Sequence, residues 1–292
     1  MLTGQAGVRK VDVDGVRLAL HTDGSGAPTV VFISGLGDAS AVWSAVIEQL
    51  AGSGTLVAYD RAGCGESDDI MPPIAAVPRP SSWAARQLHD LLDRADVSRP
   101  FVLVGHSLGG QIADAFAIRW PELVAGLVLV DAVDAELNLR IDQPRPTLDD
   151  AVPERAGRGW TWDVAASAAE YLAGFPQSRP PTVVVASAIW RWFQAKQPEL
   201  YRPFSMAEVD QQWQLAQLQY AQRWHGDLVV AHEAGHRVHV EAPGLVAATI
   251  AAVVDAAESG QRVQLNHDRL LESGGAVRPT GRPDAPQGAR AT

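Results

Sequence analysis

Six short runs of apolar residues, spaced along the chain with helical patterns between them, constrain this sequence more than any other feature. They are Thr29–Ser34, Thr55–Tyr59, Phe101–Val104, Leu127–Val130, Thr182–Ala186 and Leu228–Ala231. Each is four to six residues long and apolar without alternation, which is how a strand buried on both faces reads. Between them, Ala84, Leu88, Leu91, Leu92 and Ala95 recur on one face of a helix starting near Ser82. Val246, Ile250, Val253 and Val254 do the same after Pro243, a residue suited to a first helical turn. Buried strands alternating with helices predict an α/β fold, a mostly parallel sheet with helices on both faces. The alternating stretch Val11–Leu20, turning at Asp14-Gly15, adds an antiparallel hairpin at one edge.

Two connections are too long for a plain βα unit. About fifty residues separate Asp131 from Thr182 and about forty separate Ala186 from Leu228, where loops of two to six residues would serve. The expected organisation is a catalytic body over 1–132 and 181–271, with a helical cap inserted over 133–180, after the strand ending at Asp131. Helices from 188–225 are expected to join the same side. Residues 273–292 are rich in Gly, Pro and Arg and nearly devoid of apolar side chains, and are expected to be a disordered tail.

The chemistry is carried by Gly105-His-Ser-Leu-Gly109, a G-x-S-x-G pattern between a buried strand and a helical stretch. In that context Ser107 sits on a sharp turn that lifts its Oγ above the sheet, and glycines on either side let the backbones approach. A serine hydroxyl needs a base, and the base needs an orienting acid. Of eight histidines, His236 lies in the loop past the last strand's carboxyl end, where catalytic groups collect in open α/β sheets. His106, His232 and His239 are read as neighbours rather than the base. For the acid, Asp131 stands at a strand tip and Asp134 is the reserve. Two backbone N–H groups, those of Leu36 and Leu108, are placed to receive a developing oxyanion.

These stretches resemble the α/β-hydrolase superfamily, in the branch of small serine hydrolases that includes esterases, lipases and cofactor-free perhydrolases. The resemblance rests on Thr29–Gly37 with Trp43, Val57–Ser67, Phe101–Gly110, Pro121, Gly126–Asp131 and Gly235–Pro243, in family order from about residue 8 to 257. It implies Ser107 as nucleophile, His236 as base and Leu36 and Leu108 as oxyanion donors, with no cofactor or metal. Two positions depart from the pattern. Ser34 stands where many relatives carry histidine, and the acid usual after the Thr182 strand is missing, so Asp131 is supported with less force. Serine at the elbow argues against haloalkane dehalogenases and epoxide hydrolases, which use aspartate there. The expected activity is hydrolysis of carboxylic esters of a small apolar or aromatic substrate. The alternatives are perhydrolase or lactonase chemistry with the same triad, or a non-catalytic ligand-binding protein of this fold.

Composition narrows the partners. Twenty-four Lys and Arg against 34 Asp and Glu leave a charge of −10, unsuited to general nucleic-acid binding. One cysteine excludes an internal disulfide and a cysteine-based zinc site. With no secretory signal evident and no run approaching 18 apolar residues, a cytoplasmic protein without membrane attachment is expected. Nine tryptophans are a surplus, and positions 160, 162, 190, 192, 213 and 224 fall between Asp131 and Leu228. Most would bury the cap on the sheet. Trp160, Trp162, Trp190 and Trp213 are the candidates for lining an apolar pocket above Ser107.

Overall fold

The computed structural model describes residues 7–70, 77–133, 151–153, 159–190 and 203–281. Its strands are β1 (Val8–Val13), β2 (Val16–Gly24), β3 (Thr29–Ile33), β4 (Thr55–Tyr59), β5 (Pro78–Arg79) and β6 (Phe101–His106). They continue with β7 (Val124–Val130), β8 (Ala151–Pro153), β9 (Thr161–Asp163), β10 (Thr182–Ala186), β11 (Asp227–Ala231) and β12 (Gly275–Arg278). The helices are α1 (Ser44–Gln49), α2 (Ser81–Arg94), α3 (Leu108–Arg119), α4 (Val164–Ala173) and α5 (Met206–Arg223). Then come α6 (Val238–Glu241), α7 (Pro243–Ser259) and α8 (His267–Glu272).

Nine strands form one sheet in the order β1-β2-β4-β3-β6-β7-β10-β11-β12. The six from β4 to β11 run parallel, and antiparallel strands flank them on both sides. Val31 and Ile33 face a core completed by Leu88, Leu91 and Phe116, while Val30 and Phe32 face one completed by Val46, Ile250 and Val253. Both faces are therefore apolar, which is why the strands read as unbroken runs. From β3 the chain moves outward to β4, then returns to place β6 on the other side of β3. That reversal falls at the carboxyl ends of β3 and β6, the place where ligands bind in open α/β sheets.

Three sequence expectations are revised. The segment between β7 and β10 is not purely helical: β9 pairs with β8 and, in parallel, with β5, making a second sheet of three strands beside α4. The body thus lends a strand to the insertion. Next, α5 does not belong to the cap. It packs against β10 and β11 as the crossover that two parallel strands require. The buried pair of Asp114 with Arg223 (3.1 Å), and the Trp224 Nε1–H donated to Asp114 (2.7 Å), fasten its end to α3. Finally, the expected tail begins with structure: Gly275–Arg278 form β12, antiparallel to β11. Its strand-forming drive is backbone pairing with the open edge of β11, which side-chain hydropathy does not report. No helix among the described residues is long and apolar enough to cross a membrane.

Candidate active site

Ser107 follows β6 directly and starts α3, with φ 53° and ψ −120°. Such a conformation is costly for a residue with a side chain and persists only where its surroundings impose it. Here close packing imposes it: a Cβ on Gly105 would strike the Gly109 carbonyl, and one on Gly109 would strike the Ile33 carbonyl. Asp131, at the tip of β7, also has positive φ (44°) and is fully buried. Its Oδ1 accepts the Ser187 backbone N–H at 2.8 Å, and its Oδ2 accepts the His236 Nδ1–H at 2.8 Å. That leaves His236 Nε2 as the acceptor, 3.1 Å from Ser107 Oγ. Hydroxyl, imidazole and carboxylate thus stand in line, with the tautomer that can take the serine proton fixed by the carboxylate.

Ser187 sits one residue past β10, where the sequence lacks the acid expected of the family pattern. In the structure its backbone amide instead steadies the carboxylate supplied by Asp131, one strand over. Asp134, the reserve, lies outside the described residues. Leu108 begins α3 beside Ser107, and Leu36 lies in the turn after β3, where a Cβ on Gly35 would come within 3.3 Å of Ser107 Cβ. Leu108 is thus next to the serine in the chain, and Leu36 follows the residue whose backbone packs against it.

The four tryptophans divide. Trp213 on α5 meets His236 edge-on, with ring centroids 5.5 Å apart. Trp160 packs on Trp83 of α2, and Trp162 donates to the hydroxyls of Ser81 and Ser167. These two fasten the insertion to the start of α2. Trp190 is 60% exposed and lines a surface cavity of about 440 Å³ with Ile189, Asp210 and Leu215. Ser107 is not among that cavity's walls.

Sequence reading passed over the layer behind His236. His106 Nε2 lies 2.9 Å from the His236 carbonyl oxygen; a carbonyl only accepts, so that nitrogen carries the proton. His239 packs between Trp43 and His106. Burial holds His106 well below the ordinary histidine range, helped by the neighbouring His236 and His239. Burial likewise takes His239 down to about 3, with Arg237 and His236 contributing. His106 was legible only as a neighbour of the serine, and His239 carried no signal beyond its place three residues after His236.

Asp38, His106 and His239 bring three potential ligand atoms within 4.8 Å of one another, the only such group among the described residues. They do not suit a cation well. Arg237 engages Asp38 at 3.3 Å, and His106 Nε2 is committed to the His236 carbonyl, which leaves His106 only its Nδ1.

Two buried neutral histidines make stability depend on pH. Unfolded, each takes a proton near pH 6.5; folded, His239 resists to about 3. Stability is therefore full above about pH 6.5 and falls with acid, by about 1.4 kcal/mol per pH unit for each such histidine. Urea unfolding at pH 7, 5.5 and 4.5 should show this loss, and His239→Phe should reduce the slope by one histidine's share. An unchanged pH slope in that variant would remove His239 as a cause.

The sheet order and the elbow at Ser107 are those of the α/β-hydrolase fold. The sequence profile of the Alpha/beta hydrolase family matches residues 30–249, and the chain belongs to that family. An uncharacterised Mycobacterium tuberculosis protein is 39% identical over 120 residues, 41% of this chain and 33% of that protein. The chain thus spans about a third of the length of such a relative. The thioesterase domain from the curacin biosynthetic pathway shares the fold with a TM-score of 0.57 at 21% identity, covering 85% of this chain and 100% of that one. Alpha/beta hydrolase domain-containing protein 10 from mouse does so at 0.60 and 17% identity, covering 88% and 100%.

Proposed function

We propose that this protein is a serine hydrolase that cleaves carboxylic esters through an acyl-enzyme. The observation that carries this reading is the line from Asp131 through His236 to Ser107, at 2.8 and 3.1 Å. In the first half-reaction His236 Nε2 takes the Ser107 proton as Oγ attacks the carbonyl carbon. The resulting oxyanion is received by the Leu36 and Leu108 N–H groups. Collapse breaks the ester C–O bond, and the proton on His236 goes to the departing alkoxide. Water then repeats the sequence: His236 removes its proton, hydroxide adds to the acyl carbon, and Ser107 leaves with that proton returned. Asp131 keeps its hydrogen bond from His236 Nδ1–H throughout and stabilises the imidazolium.

The apolar wall of Trp213 beside His236 favours an apolar or aromatic acyl group. A fluorophosphonate probe should label Ser107 stoichiometrically, and p-nitrophenyl esters from acetate to octanoate should all turn over. Absence of labelling would overturn the hydrolase reading. Turnover confined to acetate would overturn the apolar acyl site alone.

A further inference from the structure

We propose that Arg61 is a positioning residue that aims and polarises the Leu36 N–H toward the developing oxyanion. This rests on the serine-hydrolase reading above and adds to it the residue that sets one half of the oxyanion hole.

Arg61 lies two residues past β4 and is 2% exposed. A guanidinium is costly to bury unless its donors are used. Here they reach across to the turn after the neighbouring strand. Nη1 donates to the Ser34 carbonyl at 2.6 Å, and Nη2 donates to the Gly35 carbonyl. A rigid planar fork that engages two successive carbonyls fixes the orientation of both peptide planes.

The second plane is the informative one. The Gly35 C=O and the Leu36 N–H belong to the same trans peptide unit, in which the two bonds point in opposite directions. Holding the oxygen toward Arg61 therefore points the Leu36 N–H away from it. The turn lies against the elbow: a Cβ on Gly35 would be 3.3 Å from Ser107 Cβ. A cation on the carbonyl also draws electron density through the amide and makes its N–H a stronger donor, as chained hydrogen bonds do. Asp60 fixes the segment from which Arg61 reaches, accepting the Ser40 N–H at 2.7 Å and the Glu66 N–H at 2.8 Å. Burial alone would raise its carboxyl, but hydrogen bonds from His21, Ser40 and Glu66 outweigh burial and hold it at about 2.

The test uses Arg61→Lys, which keeps the charge without the fork, and Arg61→Gln, which keeps one donor. Both are measured in the full chain, with thermal melting as the check on folding. For p-nitrophenyl acetate, kcat should fall about 10²-fold with KM changed by less than about threefold. Inhibition by a trifluoromethyl ketone, which forms a tetrahedral oxyanion on Ser107, should weaken by the same factor. The pH at which the rate reaches half its plateau should not move, because His236 and Asp131 are untouched. A folded variant with wild-type kcat overturns the proposal. So does a lowered kcat with undiminished ketone affinity, which marks a merely structural role. A wild-type protein without turnover overturns both this inference and the serine-hydrolase reading, whereas turnover with unaffected variants overturns this one alone.

Discussion

Replacing Ser107 by alanine should lower kcat for a p-nitrophenyl ester by about 10⁶-fold, the loss seen when a triad nucleophile is removed. The size follows from the elbow. The φ of 53° at Ser107 is held by glycine contacts on both sides, and its Oγ is the hydroxyl that meets His236 Nε2. What remains in the variant is catalysis by water at a site still carrying oxyanion donors and a base. Folding should be untouched, because Oγ bonds only His236 Nε2 among the contacts described for it. The measurement is single-turnover and steady-state hydrolysis alongside a melting curve. A folded Ser107→Ala protein that retains more than about a tenth of the rate would end the acyl-enzyme mechanism.

Asp131→Asn should cost about 10⁴-fold in kcat with little change in KM. The carboxylate has two jobs, and the amide fails at the second. Its oxygen can still accept the Ser187 N–H, so the tip of β7 keeps its place. At the other position an amide NH₂ meets His236 Nδ1 and drives the imidazole to the tautomer whose Nε2 carries the proton. That nitrogen then cannot take a proton from Ser107. Raising the pH does not restore it, since the defect is one of tautomer rather than of charge. Asp134→Asn is the companion measurement: a larger loss there than at Asp131 would transfer the acid's role.

The fold class was readable because the parallel strands are buried on both faces, and such strands appear as apolar runs whatever follows them. Ser107 and His236 were readable for a related reason. Each sits immediately beyond a strand that the pattern locates, one in a glycine-bounded turn and one after Gly235. Asp131 was legible as a strand-tip carboxylate but not decided by that, since Asp134 follows only three residues later. Other elements were hidden by the nature of their contacts. The strand β12 is recruited by an open sheet edge, β5 by pairing with β9, and neither needs an apolar pattern. The placement of α5 depended on which strands it joins, so the length of the connection alone read it as structure added on the cap side.

By itself, then, the sequence determined the layers and the positions of Ser107 and His236 beyond their strands, because periodicity and glycine placement are local and survive being read one residue at a time. Only the tertiary structure decided that Asp131 faces His236 while Ser187 holds it, and that Trp213 rather than Trp190 stands beside the site. It alone placed Arg61 across the turn from Ser34 and Gly35. Each of these is a contact between separate strands or loops, set by strand order and peptide-plane orientation, which no window along the chain contains.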